Sequence, residues 1–479
     1  MHKPPSFWFL TTYPLAYAIF CLIYLPHFLL RTKRAEDPGR VLRERLGSYH
    51  PKKFKALQGR KVIWVHAVSV GEVMAAQIFL ERTLAVSPDL DIVLTTVTPT
   101  GQSIAQTYAQ ERLHVVYMPF DFRFSVRRFL KTFHPMVLLL METELWPQAL
   151  IQAQAAGLPV GILNARLSEK STRRYRQFQW FFKPLFQRLD FVLAQSQEDS
   201  DRFQEVGVAP SKMQVMGNMK FDNVSLEPVS ENILEGYRKS WAITNRERIW
   251  VAGSTHPGEE EIIFRVFQAL KQKYPDLKCI IAPRHIERAQ ELKKQAELRG
   301  LRVNLSRSHC EERSDEAVSN GKQEIASPLT RNDLSFSWDI LILNELGSLK
   351  QVYGLAEVVY VGGSLVPHGG QNPIEPAALR CAILHGPNVF NFKSIYQGLD
   401  ASQGAVLVNH EQDLKCSLET LLENPDQRRR LGENAFRVVS VAQGSSRRHV
   451  DWIFNFLSLS PLERMSYVMR SEKLFSSSC

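Results

Sequence analysis

None of the chain's six cysteines (Cys21, Cys279, Cys310, Cys381, Cys416 and Cys479) stands at C-x-x-C spacing from another. Scattered thiols exclude a disulfide framework and a cysteine zinc site, and favour reduced thiols in a cytosolic setting. The thirteen histidines contain no H-E-x-x-H arrangement, and His256 with Glu259 reads as a loop and helix-start pair rather than as metal ligands. Neither half of the chain opens with G-x-G-x-x-G after its first strand, which argues against a dinucleotide oxidoreductase. No nucleic-acid-binding signature accompanies the net charge of +10, so nucleic acid is not an expected partner. Asp, Glu, Lys and Arg are all missing from Phe7 to Leu30.

That uncharged stretch is rich in Phe, Leu, Ile and Tyr, and about 20 apolar residues suffice to cross a bilayer as a helix. Residues 1–30 are therefore expected to be a single-pass membrane anchor, although Pro14 and Pro26 make lodging in the interface an alternative. A cleavable signal peptide is disfavoured, because Arg31, Lys33 and Arg34 follow with no small-residue cleavage site. By the positive-inside tendency those charges keep the rest of the chain in the cytoplasm. From Arg31 to Lys61 there are eleven Lys/Arg against three acids. Beside an anchor, such a cluster suits an anionic membrane surface.

With 479 residues, 44% hydrophobic and 23% charged, two folded domains are the default. Apolar runs at Lys61–His66, Asp91–Thr96, Val137–Met141, Val160–Leu163 and Phe191–Ala194 read as buried strands. Segments such as Glu72–Ser87 and Thr100–Glu111 have helical spacing between them. After a polar interruption the rhythm restarts at Ile249–Gly253, Lys278–Ala282, Ile340–Leu343, Val358–Val361 and Ala382–Leu384. The fold class is α/β, with two doubly wound, Rossmann-like halves and a hinge near residues 223–240. The first domain is assigned to 31–225, the second to 240–455 and a tail to 456–479. The polar stretch 306–333 has no core-forming pattern and reads as a surface insertion.

Val361–Glu375 (V-G-G-S-L-V-P-H-G-G-Q-N-P-I-E) has the order of buried strand, glycine loop and helix start. Its glycines let the backbone turn sharply and approach a ligand, the free N–H groups of the following helix attract an anion, and Glu375 can hold a ribose diol; an ordinary strand-to-helix loop is the alternative. Glu72 opens a helix after a strand. The helix dipole should keep it ionised near neutral pH, ready to accept a proton, unless it is simply a capping-region acid. Glu142 and Glu144 follow the Val137 strand; strand alternation would point them apart. Arg166, Arg173, Arg174 and Arg176 suit either an acceptor bearing phosphates or a membrane-facing basic surface.

These segments resemble the 3-deoxy-D-manno-octulosonic acid (Kdo) transferases in an ordered set spanning roughly residues 7 to 450. The set comprises H-A-V-S-V-G-E (His66–Glu72), M-E-T-E-L-W-P (Met141–Pro147), N-A-R-L-S (Asn164–Ser168) and G-N-M-K-F-D (Gly217–Asp222). It continues with G-S-T-H-P-G-E-E-E (Gly253–Glu261), P-R-H (Pro283–His285), the glycine segment itself and G-P-N-V-F-N-F (Gly386–Phe392). The resemblance implies a glycosyltransferase-B architecture with two domains facing a cleft. It also implies an inverting transfer of Kdo from CMP-Kdo to the lipid A precursor (lipid IVA) at the inner membrane. In that family the glutamate matching Glu72 is the general base, Glu142 is the stabilising acid, and Lys220 offsets charge on the departing phosphate.

The CMP moiety would meet Ser254, Pro283, Arg284, Leu346, Gly347, Ser348, Asn372, Pro373, Ile374 and Glu375. Here the family's D-[ST]-x-G-E-L reads N-E-L-G-S-L (Asn344–Leu349), which puts side-chain contacts there in doubt; Gln371 likewise replaces a histidine, and Met219 a leucine. No metal and no cofactor is implied, CMP-Kdo being a substrate. Two other readings are a lipid glycosyltransferase of the same architecture using a UDP-sugar, and a membrane-anchored nucleotide-binding protein without catalysis.

Overall fold

The computed structural model describes residues 12–23, 37–50, 54, 57, 59–306 and 337–458. Residues 307–333 of the expected insertion lie outside them. The chain divides into two compact units, Met1–Asn223 with Ala442–Cys479, and Val224–Val441.

In the first unit the strands are β1 (Lys61–His66), β2 (Leu90–Thr96), β3 (Leu113–Tyr117), β4 (Val137–Met141), β5 (Val160–Ala165), β6 (Phe191–Ala194) and β7 (Met213–Val215). All pair in parallel, in the order β3-β2-β1-β4-β5-β6-β7. Side chains alternate across the pleat, so Val62 and Trp64 of β1 enter one apolar layer while Ile63 and Val65 enter the other. Burial on both faces explains why these strands read as continuous apolar runs. The order reverses between β1 and β4. In open parallel sheets the crevice outside such a reversal is where ligands bind.

The second unit repeats the plan with β8 (Arg248–Thr255), β9 (Leu277–Pro283), β10 (Val303–Leu305), β11 (Ile340–Ile342), β12 (Val358–Val361), β13 (Ala382–His385) and β14 (Ala405–Leu407). Its parallel order is β10-β11-β9-β8-β12-β13-β14, reversing between β8 and β12.

The second domain does not run to residue 455 as expected. The helix Ser445–Ser458 packs on the first unit, with Trp452 and Phe456 placing their rings 4.6 and 4.9 Å from that of Phe191. Gly161 leaves room for the Phe191 ring, which a Cβ there would meet at 2.0 Å. Apolar surface on β6 thus finds its cover in the chain's last described helix.

The expected membrane-spanning helix is not found among the described residues, where no helix is long and apolar enough to cross a bilayer. Residues 12–23 are helical, which at 1.5 Å per residue gives about 18 Å against about 30 Å of hydrocarbon. The remainder of the apolar stretch lies outside the described residues. One side of this helix is fastened to the first unit. The Tyr13 hydroxyl donates to Asp121 Oδ2 at 2.6 Å, and the Asp121 backbone N–H donates to the Tyr17 hydroxyl at 3.2 Å. The other side leaves Leu15, Ile19, Leu22 and Ile23 at least half exposed.

Candidate active site

Glu72 and Glu142 follow β1 and β4, the two neighbouring strands at which the first sheet reverses. The helix Val70–Val86 starts at the N-cap Ser69, which makes Glu72 its third residue. Its carboxylate reaches back over the helix start, accepting from the Val68 N–H at 2.8 Å and from the Ser69 hydroxyl at 2.8 Å. This is capping chemistry, and it also fixes where the carboxylate sits. Sequence reasoning placed Glu72 as an ionised group held by the helix dipole; the structure corrects this. Burial, helped by the charges of Glu142 and Glu144 and opposed by the Val68 and Ser69 hydrogen bonds, pushes its pKa from 4.5 up to about 7. Such a carboxyl is poised to exchange a proton near neutral pH.

Glu142 does not continue β4. It takes a left-handed conformation, φ 55°, while its N–H still bonds Leu163 O at 3.0 Å. The alternation argument that separated Glu142 from Glu144 therefore does not apply, and both charges act on Glu72. Burial and the neighbouring Glu142 also raise Glu144. Lys220 Nζ lies 3.2 Å from Glu142 Oε1, and each side chain is 22% exposed. The structure thus brings Glu72, Glu142 and Lys220 into one cluster and adds Glu144 to it.

Two residues that hold this cluster escaped the sequence reading as positioning groups. Asn164, fully buried and left-handed at φ 50°, sits where the β5–β6 register shifts. Its Oδ1 accepts from Met219 N at 2.9 Å, which pins the segment carrying Lys220. Its own N–H donates to His449 Nε2 at 3.2 Å. His449 donates from Nδ1 to Ser445 O at 2.8 Å, and burial lowers its pKa to about 4, so it stays neutral. The only sequence signal was a lone histidine more than 280 residues away.

Of the four arginines, Arg173 and Arg174 line an open cavity of about 500 Å³ together with Glu169, Lys170, Ser171 and Gln177. Arg176 pairs with Glu205 at 3.1 Å instead. The Arg166 backbone carbonyl accepts from the Thr143 hydroxyl. That bond ties the N-A-R-L-S segment to the Glu142 loop.

In the second unit the nucleotide-segment residues come from the carboxyl ends of four strands. Ser254 lies at the β8–β9 register shift, left-handed at φ 55°. Pro283 ends β9, and the next residue, Arg284, donates its N–H to Thr255 O at 2.9 Å. Leu346, Gly347 and Ser348 follow β11; the Ser348 hydroxyl is buried without a partner. Asn372 and Pro373 lead into the short helix Ile374–Ala378, with Asn372 Nδ2 3.3 Å from Glu375 Oε1. Burial raises the Glu375 pKa, against the opposing Asn372 hydrogen bond and Lys350 charge.

The amides that open the glycine loop are engaged within the protein. Glu259, fully buried, accepts from the N–H groups of Gly363 (2.7 Å), Ser364 (2.9 Å) and Leu365 (3.0 Å). It also accepts from the His256 N–H at 3.0 Å and the Tyr360 hydroxyl at 2.6 Å. An internal carboxylate occupies the cradle, and its job is to shape the loop. Gly362 is needed because a Cβ there would lie 2.6 Å from Ser254 O.

A family model described as 3-Deoxy-D-manno-octulosonic-acid transferase (kdotransferase) matches residues 40–223. The chain is 32% identical over 419 residues to 3-deoxy-D-manno-octulosonic acid transferase of Haemophilus influenzae, covering 87% of this chain and 91% of that protein. It is 30% identical over 406 residues to the Bordetella pertussis protein of that name, covering 82% and 87%. A solved glycosyltransferase from Rickettsia africae shares the fold at TM-score 0.54 and 12% identity, over 83% of this chain and 99% of that one.

Proposed function

The chain belongs to the 3-deoxy-D-manno-octulosonic acid (Kdo) transferase family and is a glycosyltransferase, and from that premise we propose that it moves Kdo from CMP-Kdo to the lipid A precursor, lipid IVA. The observation that carries this reading is the cluster at the first sheet's reversal, where a buried carboxyl with pKa about 7 stands among Glu142, Glu144 and Lys220. Glu72 takes the proton of the acceptor hydroxyl as that oxygen bonds to the anomeric carbon. The bond from that carbon to the phosphate oxygen breaks, and its electron pair leaves with CMP. One displacement with one base inverts the anomeric centre.

Lys220, held by Glu142, offsets the charge that develops on the departing phosphate. Ser254, Arg284, Ser348, Asn372 and Glu375 receive the nucleotide, the unpartnered Ser348 hydroxyl being one contact a ligand would satisfy. Arg173 and Arg174 suit phosphates of the acceptor.

Helix 12–23 lodges in the cytoplasmic face of the inner membrane by its exposed Leu and Ile side, while Tyr13 and Tyr17 hold the catalytic body to it. Competition binding tests the donor assignment. CMP should displace a labelled nucleotide at concentrations where UDP does not; preference for UDP would favour a UDP-sugar donor instead.

A further inference from the structure

Three imidazoles and a guanidinium gather at the carboxyl ends of β8 and β9 and in the loop after β12, and nothing in the family match assigns the imidazoles a role. His256 follows β8 and is 8% exposed. Its ring stacks on that of His368 from the glycine loop, with centroids 4.3 Å apart and planes at 18°. His285, beside Arg284, lies edge-on at 6.2 Å. The Gln371 amide nitrogen lies 3.0 Å from His256 Nε2; with the amide donating, Nε2 accepts and the ring proton sits on Nδ1. Gln371 therefore orients the ring that its neighbours crowd.

The charges around His256 have one sign, with one exception. His368, His285 and Arg284 disfavour a proton on His256. Glu259 alone favours it, and that carboxylate is already engaged by five donors. Glu260 is paired with Arg288 at 2.8 Å, and Glu287 lies 3.5 Å from His285 Nδ1. Burial and then His368 hold His256 below its ordinary value, so the free protein keeps it neutral. Two imidazoles stacked this closely cannot both carry charge unless an anion lies beside them. Among the described residues no group of three or more His, Cys, Asp or Glu side chains is arranged to hold a metal ion. The basic groups that crowd His256 suit an oxyanion as ligand.

We propose that the His256–His368 stack, with Arg284, binds an anionic group of the sugar-nucleotide donor and takes up a proton as it does so. The shared chemistry is an anionic oxygen, supplied either by the nucleotide phosphate or by the sugar's carboxylate. The idea rests on the donor reading above and deepens it, since Gln371 and both histidines become determinants of donor affinity.

Calorimetry on the full chain tests it, using CMP and cytidine as probes at pH 6 and pH 8 in buffers of different ionisation enthalpy, alongside KM for CMP-Kdo. Wild type should bind CMP more tightly at pH 6 and take up a proton, while cytidine binding stays indifferent to pH. His256→Gln should lose about tenfold or more in affinity, the usual worth of a charge-assisted hydrogen bond, and lose the proton uptake. His368→Asn, at an exposed position, and Gln371→Leu should show the same direction without disturbing the core. A loss confined to CMP assigns the phosphate; an unchanged CMP affinity with a raised KM for CMP-Kdo assigns the carboxylate. Variants within twofold of wild type in both CMP affinity and KM for CMP-Kdo overturn the proposal. Tight UMP binding with the same histidine dependence, and none for CMP, would overturn the donor reading while sustaining the anion site.

Discussion

Replacing Glu72 by Gln separates the helix-start bonds that this side chain makes from its proposed role as the base. The amide keeps the size, and its oxygen can accept one of the bonds now made by the Val68 N–H and the Ser69 hydroxyl, each 2.8 Å long. Turnover should fall by ~10²–10⁴, the contribution of a positioned general base. CMP affinity should stay near wild type, because the nucleotide residues belong to the other unit.

Stability should move the opposite way. A rise in pKa from 4.5 to about 7 means that folding penalises the ionised form by about 3 kcal/mol at most. The folded state holds the proton that the unfolded state gives up, so wild type loses stability as pH rises from 4.5 to about 7 and carries the full penalty above that. The amide cannot ionise. The melting temperature of Glu72→Gln relative to wild type should therefore climb between pH 5 and pH 8. In wild type kcat/KM should rise with pH and level off above about 7, and the residual rate of the variant should lack that limb. Near-normal turnover in a folded variant would refute the base assignment and make Glu142 the next candidate.

Tyr13→Phe removes a 2.6 Å bond to a buried carboxyl and should cost about 1.5–3 kcal/mol, read as faster proteolytic release of the N-terminal helix. Burial raises Asp121 to about 6 while the Tyr13 bond lowers it, so that bond favours the ionised carboxylate and the cost of Tyr13→Phe should be larger at pH 8 than at pH 5. Glu259→Ala strands donors from Gly363, Ser364, Leu365, His256 and Tyr360, and should destabilise the second unit by about 3–5 kcal/mol in a denaturant titration that leaves the first unit's transition in place. Glu375→Ala should weaken CMP binding before it lowers turnover at saturating donor, measured as a rise in KM ahead of any fall in kcat.

Central strands were legible because burial on both faces leaves an unbroken apolar run, as at Val137–Met141 and Val358–Val361. The four strands that the sequence did not disclose, β3, β7, β10 and β14, are the four sheet edges. Three of them are three residues long and partly exposed. In β3 a half-buried His114, 3.0 Å from Asp91, interrupts the run.

Site residues followed the same divide. Glu72 and Lys220 sit in local motifs and could be named from them. Glu259 could be placed at a helix start, but its five donors come from sequence positions about 100 residues distant as well as from its own loop. The left-handed turn at Glu142 reverses what strand periodicity predicts, and no residue type announces it. Tyr13 with Asp121, and Asn164 with His449, are contacts made only once the chain has folded.

Mass spectrometry of the lipid product tests the central claim most directly. The full chain would be incubated with CMP-Kdo and a tetra-acylated lipid A precursor, beside Glu72→Gln at equal concentration and a matched reaction with a UDP-sugar. The account predicts a Kdo adduct of the lipid and an equivalent release of CMP with wild type, at least a hundredfold slower formation with the variant, and no adduct from the UDP-sugar. Folded wild type that leaves the lipid unmodified by CMP-Kdo, or that modifies it from the UDP-sugar, would contradict the account.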